Sequence, residues 1–176
     1  MKLRSFLMAA SISLLGSFAG FNAYGIPSPI QVRPGSVTAP LRTNASAIGG
    51  VAADEFSLLG VDSVASASGE RLVLKYGDPL GKPLKGQPGF FQVSLDRDGR
   101  RISIDLSQIT RTGVDPTQLR RVLAKSKYVA SSEMTMDPHD HSTNLTLMLK
   151  SPVQMKLSTE SGAQAKVILD LEGLSL

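Results

Sequence analysis

Two stretches of the chain repeat a basic residue and an aspartate four positions apart: Arg101 with Asp105, and Lys166 with Asp170. On a β-strand such residues project from one face, about 13 Å apart at roughly 3.3 Å per residue. That is too far for a mutual ion pair, so both charges can meet a ligand, with Ser103 and Ile168 lying between them. Faces of this kind can hydrogen-bond a polar polymer carrying hydroxyls, amides and carboxylates, and Arg is the natural bidentate partner of a carboxylate. Ordinary solvated charges on the outside of a sheet would look the same.

Two other groups of side chains could carry chemistry. Arg97, Arg100, Arg111, Arg120 and Arg121, with Lys125 and Lys127, outnumber the acids around them and suit an anionic glycan or an acidic protein. A solvated helix face accounts for them equally. Met134, Met136, His139 and His141 place thioethers and imidazoles within eight residues, a donor set that could suit copper. A polar turn begun by Asp137-Pro138 between two strands explains the same histidines without a metal. The chain has no Cys, no nucleophile elbow, no metalloprotease helix and no phosphate loop, so a non-catalytic protein without a cofactor is expected.

The elements that position these residues are strands. Period-two alternation directs Leu72, Leu74 and Tyr76 inward with Arg71, Val73 and Lys75 outward, and it directs Phe91, Val93 and Leu95 inward. Ile102, Ile104 and Leu106 follow, joined to the preceding strand by an Asp96-Arg97-Asp98-Gly99 hairpin turn. Leu145, Leu147 and Leu149, then Val153, Met155 and Leu157, then Val167, Leu169 and Leu171 are further inward sets. A weaker strand is predicted over Tyr128–Met136. Asp115-Pro116-Thr117-Gln118 supplies an N-cap, a proline for the first helical position and a Gln three residues after the cap, which predicts one short helix carrying Leu119, Val122 and Leu123.

The inward sets repeat. Arg71-Leu-Val-Leu-Lys-Tyr76 aligns with Asn144-Leu-Thr-Leu-Met-Leu149, Phe91-Gln-Val-Ser-Leu95 with Val153-Gln-Met-Lys-Leu157, and Arg101-Ile-Ser-Ile-Asp-Leu106 with Lys166-Val-Ile-Leu-Asp-Leu171. The fold expected is all-β: a two-halved antiparallel β-sandwich with internal pseudo-duplication and one short helix between the halves. Each half is expected to form one sheet, stacked apolar face to apolar face on the other.

Before the domain, residues 1–25 have the layout of a secretory signal peptide: Lys2 and Arg4, an apolar run from Phe6 to Phe18, and Ala23 and Gly25 placed as for cleavage before Ile26. The apolar run is too short to span a bilayer, so no transmembrane segment is expected after cleavage. Residues 26–53, rich in Pro, Gly, Ser, Ala and Thr, are expected to be a flexible spacer, with the domain over 54–176. Without Cys, stability in an oxidising compartment must come from burial. The formal charge of +4 halves once Lys2 and Arg4 are set aside, and Trp is absent, so nucleic acid is not an expected partner. Nothing in the sequence sets an oligomeric state.

The strands just quoted resemble those of the AMIN domain, a periplasmic module found on cell-wall amidases and secretins. Arg101-Ile-Ser-Ile-Asp-Leu106 and its repeat Lys166-Val-Ile-Leu-Asp-Leu171 are similar to the family's basic-hydrophobic-x-hydrophobic-Asp-Leu strand, and Arg71-Leu-Val-Leu to its opening strand, over about Leu58 to Leu176. The resemblance implies a periplasmic envelope module that binds peptidoglycan or targets a partner complex to the wall. It also implies outer-face contacts at Arg71, Arg101, Ser103, Asp105, Lys166, Ile168 and Asp170. An adaptor of a secretin or type IV pilus-like machine is the alternative, and a periplasmic copper protein a further one. Two departures fall on that face: Lys75 stands where an acid is common, and Asn144 where Arg is expected.

Overall fold

The computed structural model describes residues 27–52, 56–139 and 142–174, so residues 1–25, expected to be a signal peptide, lie outside the described residues. Along the described chain run β1 (Ile30–Gln31), β2 (Ala45–Gly49), β3 (Phe56–Ala65), β4 (Glu70–Gly77), β5 (Phe91–Leu95), β6 (Arg101–Leu106), β7 (Ile109–Thr112), α1 (Pro116–Leu123), β8 (Val129–Met136), β9 (Thr143–Leu149), β10 (Val153–Glu160) and β11 (Lys166–Gly173). The strands form a six-stranded sheet, β1-β2-β5-β6-β9-β8, and a five-stranded sheet, β10-β11-β4-β3-β7. All six inward sets read from the alternation are buried, and they merge into one apolar core fed by both sheets. Among the described residues no helix is long and apolar enough to cross a membrane.

Local features follow the residues that encode them. The Asp96 carboxylate accepts the backbone N–H groups of Arg100 (2.8 Å) and Arg101 (3.1 Å), and Gly99 takes the left-handed φ of +66° that closes the β5–β6 hairpin. Asp115 caps α1, its Oδ1 accepting Thr117 N–H at 2.8 Å, with Pro116 behind it and Leu119 and Leu123 buried against the strands below.

The duplication is present, but the halves do not each form a sheet. β5 and β6 of the first half hydrogen-bond to β9 of the second, while β10 and β11 of the second hydrogen-bond to β4 of the first. Each half therefore crosses from one sheet to the other between its first strand and its second. In the second half Lys150-Ser151-Pro152 makes that crossing, packed over the hairpin tip by the Leu149 N–H to Arg100 O and Val153 N–H to Gly99 O bonds (2.8 and 3.1 Å). The equivalence of β5 with β10 is also shifted by two residues: Gln92 faces Asp105, whereas Lys156, not Gln154, faces Asp170. A two-residue slip preserves which face each side chain takes, so alternation alone does not reveal it.

The expected spacer over residues 26–53 is corrected. Between Pro27 and Ala52 the chain supplies β1 and β2, the latter antiparallel to β5. It also lays residues 37–41 along β10, where Thr38 N–H bonds Leu157 O (2.8 Å) and Leu41 exchanges backbone bonds with Met155 (2.7 and 3.0 Å). Val32, Leu41 and Ala47 are buried at 2%, 1% and 0% exposure. The Pro- and Gly-rich composition serves turns between these contacts, with Gly35 and Asn44 at positive φ. Backbone pairing at both sheets, with the apolar burial, offsets the ordering entropy.

Truncating Leu41 to Ala should therefore cost about 2–5 kcal/mol, as for other buried Leu sites. Urea denaturation measures it; an unchanged midpoint would mean the arm is a tether after all. A second prediction concerns Tyr76, which is fully buried. Burial, and then the negative charge of Asp105, push its hydroxyl well above the ordinary value of 10.0. In the unfolded chain the phenol ionises near that value, so the unfolded state loses the proton first as pH rises. The stability tied to Tyr76 is thus complete below about pH 10 and declines above it, by at most about 1.4 kcal/mol per pH unit. Melting curves from about pH 8 to 11 should show that decline blunted in Tyr76→Phe; equal slopes would refute the coupling.

Candidate functional site

The two outer sheet faces are built from equivalent strands but differ in chemistry. On the five-stranded sheet the charges neutralise one another. Arg71 forms a bidentate pair with Asp170 directly opposite, Nε to Oδ1 at 2.7 Å and Nη2 to Oδ2 at 3.0 Å, and this bonding raises the Arg71 pKa. Lys75 pairs with Asp62 (2.5 Å), Lys156 with Glu172 (2.9 Å) and Lys166 with Glu160 (2.6 Å). Hydrogen bonds from Lys156, Gln154 and Ser68 hold the Glu172 carboxyl below its ordinary range. Ile168, between Val73 and Ser158 on this face, is only 4% exposed.

The six-stranded sheet carries no such pairs on its outer face among the described residues. Strand register lines up Ser46, Ser94, Ser103, Thr146 and Glu133 in one row across five strands. At about 4.8 Å per strand the row spans roughly 19 Å. A parallel row contains Ile48, Gln92, Asp105, Asn144 and Thr135, and beyond the first row Arg101 faces Met148, which in turn faces Ser131. The result is a band mainly of short hydroxyl and amide side chains, interrupted by Ile48, Met148 and Glu133, with Arg101 exposed on one side and Asp105 on the other.

One substitution accounts for much of the contrast. Asn144 occupies the position equivalent to Arg71 and faces Asp105 as Arg71 faces Asp170. An amide cannot neutralise the carboxylate, and the Asp105 side chain instead accepts a hydrogen bond from Ser107 Oγ. Asn144 in place of an arginine thus leaves the Asp105 carboxylate without a cationic partner, on a face that also carries the exposed Arg101 guanidinium and the Glu133 carboxylate.

Of the residues singled out from the sequence, Arg101, Ser103 and Asp105 fall on this face, while Arg71, Lys166, Ile168 and Asp170 fall on the ion-paired one. Ser46, Gln92, Ser94, Thr146 and Glu133 were not singled out. Their alignment into rows depends on strand order and register, which alternation along a single strand does not give. The basic residues do not form one helix face: Arg97 and Arg100 flank the hairpin tip, Arg111 is on β7 with Nη1 3.4 Å from Pro79 O, and Arg120 and Arg121 occupy the last turn of α1, where they complement its dipole.

In the thioether–imidazole group, half-buried Met134 packs against the core, and Met136 is exposed at the end of β8. His139 lies in a turn fixed by its N–H donating to Asp137 Oδ1 at 2.7 Å, and His141 lies outside the described residues. No group of three His, Cys, Asp or Glu side chains converges among the described residues. No protein-family model matches the chain, and no curated protein matches it.

Proposed function

We propose that this chain is a non-catalytic module of the bacterial envelope that binds peptidoglycan through the outer face of its six-stranded sheet. The observation that carries the reading is the cross-strand row from Ser46 to Glu133, flanked by Arg101 and Asp105, on a face without internal ion pairs among the described residues. Hydroxyl and amide side chains at regular spacing match the hydroxyls and acetamides of a glycan, and Arg101 offers a bidentate site for stem-peptide carboxylates. The leader-like N-terminus and the resemblance to the AMIN domain support placement in the periplasm. A broad, shallow, polar face fits adhesion to a polymer better than enclosure of a reacting bond. A second reading, an adaptor for an envelope-spanning machine, draws on β8: it ends its sheet, and an extended partner segment could pair along its edge.

Co-sedimentation with purified sacculi tests the first reading. Arg101→Ala combined with Asp105→Ala should weaken binding about tenfold, the scale of one or two charge-assisted hydrogen bonds. Arg71→Ala combined with Lys166→Ala on the opposite face should leave binding unchanged. Failure of the wild-type protein to sediment, or an equal loss in both variants, would overturn it; capture of a secretin-like partner by a protein that ignores sacculi would favour the adaptor.

A further inference from the structure

Glu70 opens β4 on the same face as Leu72, Leu74 and Tyr76, so the alternation that builds the core carries a carboxylate inside. It is 3% exposed. Its Oε1 accepts from Ser63 Oγ, and its Oε2 accepts from Ser126 Oγ at 2.7 Å and from Tyr128 N–H at 3.2 Å. These donors are neutral, and no salt bridge reaches Glu70 among the described residues. Buried charges are ordinarily paired, because hydrogen bonds alone leave the charge without a counterion. A carboxylate has about four acceptor sites, and three are filled here.

A cavity of about 390 Å³, within the size range of small-ligand sites, opens against this carboxylate. Ser63, Gly69 and Val122 line it with Glu70, and so do two basic residues, Lys125 and Lys127. Lys127 Nζ lies 5.0 Å from the centre of the Tyr128 ring, a cation–π contact that holds it in place. The floor is closely packed: a Cβ on Gly69 would come within 2.0 Å of Leu171 O, so the backbone packs directly on β11. One cavity thus contains a deep carboxylate lacking a cation and two cations that do not neutralise it.

We propose that this cavity binds a small zwitterion, a free amino acid or short peptide, with the ligand ammonium on Glu70 and its carboxylate on Lys125 and Lys127. The ammonium supplies the missing counter-charge and fills the remaining acceptor site of Glu70. The site is separate from the outer sheet face and does not depend on the peptidoglycan reading. A purely structural Glu70, clasping β4 to residues 126–128, would require no ligand.

The test is a titration of the 15N-labelled protein with glycine, 4-aminobutyrate and glycylglycine, which present the same two charges at increasing separation. The amides of Gly69 and Tyr128 report. At least one of these zwitterions should give a saturable shift near ~1 mM, the range for a small ligand held by two charges. Its N-acetylated and C-amidated forms should bind at least about tenfold more weakly, each having lost one charge-assisted contact. Lys125→Gln with Lys127→Gln should weaken binding comparably while leaving the urea midpoint in place, and Glu70→Gln should abolish it. Should Glu70→Gln fail to fold, the lysine variant and the blocked ligands decide. No saturable shift up to about 20 mM, equal shifts from the N-acetylated ligand, or undiminished binding by the lysine variant would each overturn the proposal.

Discussion

The structure depends on hydrogen bonding between halves: β6 of the first to β9 of the second, and β11 of the second to β4 of the first. These two ladders sit inside their sheets, so neither half possesses a complete sheet or a complete apolar face by itself. A single half would leave strands marginal in water, and a single sheet needs strands from both. Folding must therefore close long loops before the central pairings form, which places stability in non-local contacts rather than in any one hairpin. Without Cys, the chain has no covalent substitute for that interlocking.

The same ladders explain why two related faces behave differently. Pairing β11 with β4 sets Asp170 opposite Arg71, and pairing β6 with β9 sets Asp105 opposite Asn144. The pseudo-symmetric frame holds the backbone positions constant, so a single residue type decides whether each aspartate is neutralised. Exposed ion pairs contribute little to stability, with a median of about 0–1 kcal/mol, so the pairs on the five-stranded sheet are better understood as occupying its charges than as holding the fold together. On the other sheet no ion pair occupies the equivalent positions among the described residues, and Arg101 stays exposed.

Much of the fold was legible because burial leaves a period of two in the sequence: six inward sets, the Asp96–Gly99 hairpin and the Asp115 cap all follow from side-chain types at fixed spacing. Sheet membership was not legible, because alternation says that Leu72 and Leu147 face a core without saying from which side. The arm was missed for a related reason: Val32, Leu41 and Ala47 are buried singly where the chain moves between the two sheets, so no period connects them. At the candidate site, Arg101 and Asp105 were visible from their spacing, but the row of hydroxyls exists only across strands. Glu70 escaped notice because an acid at an inward position reads as the end of a strand until its partners, Ser63, Ser126 and Tyr128, are brought to it from elsewhere in the chain.

The arm also bears on where a partner can bind. A sandwich held by backbone ladders risks adding strands at its margins, and this chain guards most of them. Residues 37–41 lie along β10, β2 covers the margin of β5 and is itself followed only by the two-residue β1, and the short parallel β7 ends the other sheet beside β3. β8 is the longest margin that remains, and α1 packs against it while Glu133 projects from its middle. With backbone pairing restricted in this way, the side chains of the broad faces are the larger surface left open to a partner. Of those, the face that has not spent its polar groups on internal ion pairs is the one crossed by Ser46, Ser94, Ser103 and Thr146.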